Sequence, residues 1–235
     1  MASIASIPVR ERAIHSAVAP WWHTVGMFLL FIVLAALTAT AQHAMPAAGA
    51  APSPFTLYLP LLVIEGLLLW YVRWGLARRE ISLRSLIGGT WSGRRDVLRD
   101  VGIAAAMWAL WMGISTLWTR LSPSAEANVN VLLPHGALGS SLWVAVSLTA
   151  GLVEEILFRG YFQRQFAAWS GSGAIGLIIQ AVLFGLAHGY QGLSACVRIV
   201  GYGLLFGCVA LWRRSLRPGI VAHAWTDIAS GLFLA

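Results

Sequence analysis

Long apolar runs separated by short polar connections dominate the 235-residue chain. Three runs, at 21–41, 55–76 and 101–118, are each long enough to cross a bilayer as a helix. From Gly139 onward the chain is almost continuously apolar. Turn-forming and basic residues at 164–173, 189–193 and 212–218 divide it into runs at 139–163, 173–189, 193–211 and 219–234. The pattern predicts an all-α, polytopic transmembrane helix bundle of about seven spans. The first run also resembles a signal sequence, because Ala39-Thr40-Ala41 has the small-residue form of a cleavage site. It exceeds the usual signal core, so it is read as a retained span; cleavage would leave six spans. The organisation expected is an N-terminal segment at 1–20, three spans within 21–138, and a four-span catalytic-like core at 139–235.

Composition agrees: 58% of residues are hydrophobic and only 11% charged, against about 25% charged in an average soluble protein. A soluble enzyme, a disordered tail and a fibrous repeat are excluded. The net charge of +7 would suggest nucleic acid in a soluble protein. Here all 16 basic residues are Arg and most lie in connections, which points to membrane orientation and not to nucleic acid. Arg78, Arg79, Arg84, Arg94, Arg95 and Arg99 crowd one connection, and Arg213, Arg214 and Arg217 another. Alternate connections are Arg-poor. The positive-inside rule therefore predicts a multi-pass inner-membrane protein with a cytoplasmic N-terminus. Cys196 and Cys208 lie in one apolar run, too far apart on a helix for a disulfide, and read as small buried hydrophobes.

Ionisable groups at mid-membrane are costly, and persist where they pair, line water or do chemistry. Glu154, Glu155, His188, His223 and Asp227 are of this kind, spread over three of the last four spans. Counting rises of 1.5 Å per residue, they can meet in one cavity, expected towards the cytoplasmic half. Glu154 and Glu155 point about 100° apart on a helix. Glu155 and Arg159 are i,i+4, the favourable order for an ion pair, which leaves Glu154 without a partner on its own helix. His223 and Asp227 share a face, as do Phe184 and His188. Gly185 with Gly189, and Gly203 with Gly207, permit close helix approach; that approach either draws His188 towards Glu154 or serves packing alone. A desolvated carboxylate makes a usable base near neutral pH. With a histidine it can activate a water, while a second histidine donates to the developing oxyanion.

Three strings carry a resemblance. Residues 154–159 read Glu-Glu-Ile-Leu-Phe-Arg, residues 184–188 read Phe-Gly-Leu-Ala-His, and residues 223–227 read His-Ala-Trp-Thr-Asp. In this order and in successive apolar spans, they resemble the EExxxR, FxxxH and HxxxN/D motifs of the CAAX prenyl endopeptidase and bacteriocin-processing family of intramembrane proteases. The resemblance covers about 139–231. It implies a hydrolase in which Glu154 and His188 activate water, with His223 and Asp227 supporting the oxyanion and Glu155, Arg159 and Phe184 in structural support. The eukaryotic branch typically has Asn where Asp227 stands. An ionised carboxylate cannot donate to an oxyanion, so Asp227 is either protonated or orients His223; orientation is the reading preferred.

A hydrophobic peptide or membrane-protein segment is the expected substrate, and the lipid bilayer the surroundings; oligomeric state is not legible. No cofactor is expected, with zinc the alternative, since Glu, His, His and Asp could hold it although an HExxH string is absent. A non-catalytic bacteriocin-immunity or scaffold protein and a proton-coupled transporter are the other readings. Glu65 is read as structural, or as lining the same cavity. His15, His23, His43 and His135 carry no motif. The tryptophans Trp21, Trp22, Trp70, Trp74, Trp108, Trp111 and Trp118 are read as interfacial or lipid-facing.

Overall fold

The computed structural model describes residues 16–44, 53–121 and 132–233, without the side chains of 35–44. Arg10, Arg12, His15 and the side chains of the Ala39–Ala41 string fall outside the described residues. Helix α1 spans Trp21–Ala44, α2 Pro54–Ala77, the short α3 Leu83–Ile87, and α4 Arg94–Leu121. Helix α5 runs Gly136–Glu154 and passes without a break into a π-helical segment, Glu155–Phe162, and then α6, Gln163–Ser170. Helix α7 spans Gly173–Ala187, a 3₁₀ turn covers Gly189–Gln191, α8 is Leu193–Arg213 and α9 is Arg217–Leu232. The helix starts follow local chemistry. Ser53, Ser82 and Ser172 each cap an N-terminus with the side-chain oxygen, and Pro54 and Pro218 sit in first turns, where no amide is needed.

Helices stand at all seven predicted runs. Among the described residues, Pro54–Ala77, Arg94–Leu121, Gly136–Ser170 and Leu193–Arg213 are long and apolar enough to cross a membrane. Their outer faces carry exposed leucines, valines and isoleucines such as Leu67, Ile114 and Val197, which suits lipid and not water.

The predicted break at Arg164–Gly173 is displaced. The chain stays helical to Ser170 because its glutamines are buried and bonded: Gln163 Nε2 donates to Gly207 O at 3.1 Å, and Gln165 Nε2 to Ala19 O at 3.0 Å. A polar run that reads as a connection is thus a helix with its polar atoms satisfied internally. Gly171, at φ +69°, ends it in the left-handed conformation.

The α5–π–α6 rod is the axis of the bundle, and every residue of its π segment is buried. Helix α2 packs on α5, α9 on α5 and α4, and α7 on α6 and α8. Gly151 on α5 lets α9 come close, since a Cβ there would meet Ala224 N at 2.7 Å. Gly185, Gly203 and Gly207 bring α7 against α8, while Gly189 faces nothing within 4 Å. Gly185, Gly203 and Gly207 therefore serve the α7–α8 contact, and Gly151 draws the motif helices together.

Helix α1 is tied to the rod. His23 is fully buried. Its Nδ1 pairs with the Tyr161 hydroxyl at 2.7 Å and its Nε2 with Tyr71 O at 2.8 Å. Gln165 Oε1 accepts from Val18 N and Ala19 N. His23 is thus a structural clasp, not a terminal bystander. Trp111 is also buried, edge-on to Tyr202 at 4.8 Å, against its lipid-facing reading. Cys208 is exposed, against its buried one.

The two Arg-rich connections meet. Leu216 N donates to Ile87 O at 2.8 Å, and Arg217 Nε to Gly88 O at 3.2 Å. The Arg217 guanidinium lies over Trp91, and Arg213 pairs with Asp100 at 3.2 Å.

Candidate active site

The π segment opens at Glu155 and gives the site its buried half. Glu155 and Arg159 are paired at 3.0 Å with their side chains 1% and 0% exposed. The Arg159 guanidinium lies 4.2 Å from the centre of the Phe184 ring, with Phe206 and Tyr202 further out. A cation in an aromatic cage with one carboxylate is held in a single orientation. The same Glu155 Oε1 takes a hydrogen bond from His223 Nδ1 at 3.0 Å. A Cβ at Gly219 would lie 2.8 Å from Glu155 Oε2, so Gly219 leaves this carboxylate its room on α9. The result is a buried chain, Arg159–Glu155–His223, crossing from the π segment to α9.

His223 then presents Nε2 to two further carboxylates. Glu154 Oε2 and Asp227 Oδ2 each stand 3.7 Å from it, beyond direct hydrogen-bond reach. The hydrogen bond that orients His223 comes from Glu155, not from Asp227 as the sequence suggested. That partner was invisible because i,i+4 spacing reports only contacts within one helix. Glu154 and Glu155 do diverge: Glu155 is sealed, whereas the Glu154 side chain is 26% exposed.

His188 caps the C-terminus of α7, and its Nδ1 meets Phe184 O at 2.8 Å. A carbonyl only accepts, so Nδ1 carries the proton and Nε2 of the neutral ring is an acceptor. Phe184 is buried between Arg159, His188 and His223.

Glu154, His188, His223 and Asp227 all border one cavity of about 430 Å³. Glu154 comes within ion-pair distance of His223, while it shares only the cavity wall with His188. Glu65, on α2, borders the same cavity. A second cavity of about 200 Å³, walled by Phe31, Leu34, Leu68 and Leu157, shares Glu65, Glu154, His188 and Tyr190 with the first. Burial pushes the Tyr190 hydroxyl up to about 12, with the Glu154 and Asp227 carboxylates adding to the push, so it remains a donor at neutral pH. Among the described residues, no three His, Cys, Asp or Glu side chains are grouped to hold a metal ion.

The cavity departs from expectation in its position. It is bordered by Leu132, Leu133, Tyr190 and Gln191, which belong to the Arg-poor connections. Its walls on α2 and α8 come from the halves nearest those connections, and on the α5–π–α6 rod they reach only to Glu154, at its middle. It therefore runs from mid-bundle towards the end opposite the Arg clusters, not towards the Arg-rich, cytoplasmic half that counting residues along straight helices had indicated.

Carboxylates and imidazoles gathered round a cavity in a helical membrane bundle are groups able to activate and orient a water. Residues 136–229 match the profile described as Rce1-like, type II CAAX prenyl endopeptidase. The match covers less than half of the chain but includes all three motif strings, and it supports membership of the CAAX prenyl endopeptidase and bacteriocin-processing family. Over that stretch the chain is similar to the type II CAAX prenyl endopeptidases. Neither curated proteins nor solved structures gave a match to the chain.

Proposed function

We propose that the protein is an intramembrane endopeptidase that hydrolyses a peptide bond in a hydrophobic or lipid-linked substrate. The observation that carries this reading is the sealed Arg159–Glu155–His223 chain, which fixes one imidazole beside Glu154 at the wall of a cavity. Glu154 acts as base towards a water that also donates to His188 Nε2, the acceptor nitrogen left by the Nδ1 bond to Phe184. His223, with Nδ1 held by Glu155, offers Nε2–H to the oxyanion. Asp227 stands on the same face of α9 and adds a carboxylate that favours the charged imidazole during the reaction. The apolar second cavity suits an aliphatic chain beside the scissile bond.

The direct test is cleavage by detergent-purified protein of an internally quenched peptide, with and without an S-farnesyl cysteine. No cleavage of either peptide would overturn the reading in favour of an immunity scaffold or transporter. We read the protease as glutamic-type. Hydrolysis is expected to be unchanged by phenanthroline; inhibition that added zinc reverses would assign it to a metal instead.

The same reading places the protein in the inner membrane with the Arg-rich connections cytoplasmic. The cavity mouth near Tyr190 and Gln191 then faces the outer side, and the substrate is a peptide that reaches the site from there. In a background with Cys196 and Cys208 replaced by alanine, Gln191→Cys is expected to react with a membrane-impermeant maleimide in intact cells. Arg94→Cys is expected to react only after permeabilisation. The opposite pattern reverses the orientation.

A further inference from the structure

The carboxyl group of Glu65 lies on α2, outside the matched region. Nothing in the three motifs points to it. It is 9% exposed and borders both cavities, in each case together with Glu154 and His188. Among the described residues, no Arg or His forms an ion pair with it. Its Oε2 is sealed from solvent and has no hydrogen-bond partner among the described residues.

A neutral acid fits a buried position that carries no ion pair among the described residues and faces other carboxylates across the same cavity. The site thus holds two unlike carboxyl groups: Glu154, next to an imidazole, and Glu65, buried on α2 with Oε2 unpartnered among the described residues.

That asymmetry supplies what the proposed hydrolysis otherwise lacks. The amide nitrogen cannot leave as an anion and needs a proton as the C–N bond breaks. We propose that Glu65 is the general acid of the reaction, donating the proton that the leaving amine requires. This inference rests on the proteolytic reading above. Glu154 takes one proton from water as its oxygen bonds to the carbonyl carbon. The tetrahedral intermediate collapses, the C–N bond breaks, and the Glu65 proton goes to the nitrogen. The proton on Glu154 then returns to Glu65 through solvent. One water is consumed, one carboxylic acid and one amine form, and both side chains are restored.

The test compares two substrates that differ only in the scissile bond: a quenched peptide, and its analogue with a thioester in place of that amide. A thiolate leaves without a proton, so a variant lacking the acid is spared on the thioester. Glu65→Gln is expected to lose about 100-fold or more in amide kcat and less than about 5-fold on the thioester. Equal losses on both, or no loss on the amide, would overturn the proposal and leave Glu65 a structural polar group. If Glu65→Gln fails to fold, the amide-to-thioester ratio is read from Glu65→Asp, where the same selective loss is expected from a shortened acid. An infrared band of a protonated carboxyl group is expected in the resting protein. Its loss in Glu65→Gln and retention in Glu154→Gln supports the proposal, and its absence from the resting protein sinks it. That measurement needs no turnover, so inactivity of the unaltered protein, which would fail the proteolytic reading, stays distinguishable from failure at Glu65.

Discussion

Glu154→Gln is expected to reduce peptide hydrolysis by about 10²–10⁴-fold, the range that a positioned general base contributes. The substitution keeps size and shape and removes only the ability to take a proton. Glu154 is suited to this test because its side chain is partly open to the cavity and no closer than 3.7 Å to His223. Neutralising it leaves no sealed charge behind, so expression and unfolding temperature in detergent should be close to those of the unaltered protein. The assay is single-turnover cleavage of the quenched peptide. Undiminished cleavage would remove Glu154 from the chemistry.

The neighbouring acid should behave in the opposite way. Arg159→Leu is expected to cost about 3–5 kcal/mol of stability, because it takes the guanidinium from a buried carboxylate and leaves it only the His223 imidazole. Both partners are sealed from solvent. The aromatic cage of Phe184, Tyr202 and Phe206 offers the carboxylate no replacement cation. The double variant Arg159→Leu with Glu155→Gln should recover much of that loss, since the glutamine oxygen can still accept from His223 Nδ1 and no charge is left unpaired. Denaturant unfolding in detergent separates the three proteins. A single variant within about 1 kcal/mol of the parent would show that the pair is not a stability element. The adjacent glutamates are thus expected to divide between chemistry and architecture, Glu154 failing in rate and the Glu155–Arg159 pair in fold.

Much of this was legible in the sequence. The apolar runs marked every long helix, and the i,i+4 rule found the Glu155–Arg159 pair. The motif strings located four residues that do border one cavity. What the pattern could not carry was register across helices. The change to π geometry at Glu155 has no compositional sign, so the continuous rod read as a span ending near Arg164. The contact of Glu155 with His223 depends on Gly151 and Gly219 admitting α9, a tertiary fact that one-helix periodicity does not contain. His23 looked idle because its partners, Tyr71 and Tyr161, lie far along the chain. Glu65 gave the faintest useful signal, an acid alone in the middle of an apolar run. Its meaning came only with the cavities it borders.

The clasp between the Arg-rich connections has a mechanical consequence. Leu216, Arg217 and their bonds to Ile87 and Gly88 bolt the foot of α9 to the segment joining α2 and α4. The helix that carries His223 and Asp227 is thereby fixed at its base like a post in a socket. A tilt of α9 about that base would displace His223, which stands nearer it, less than Asp227 one turn further along.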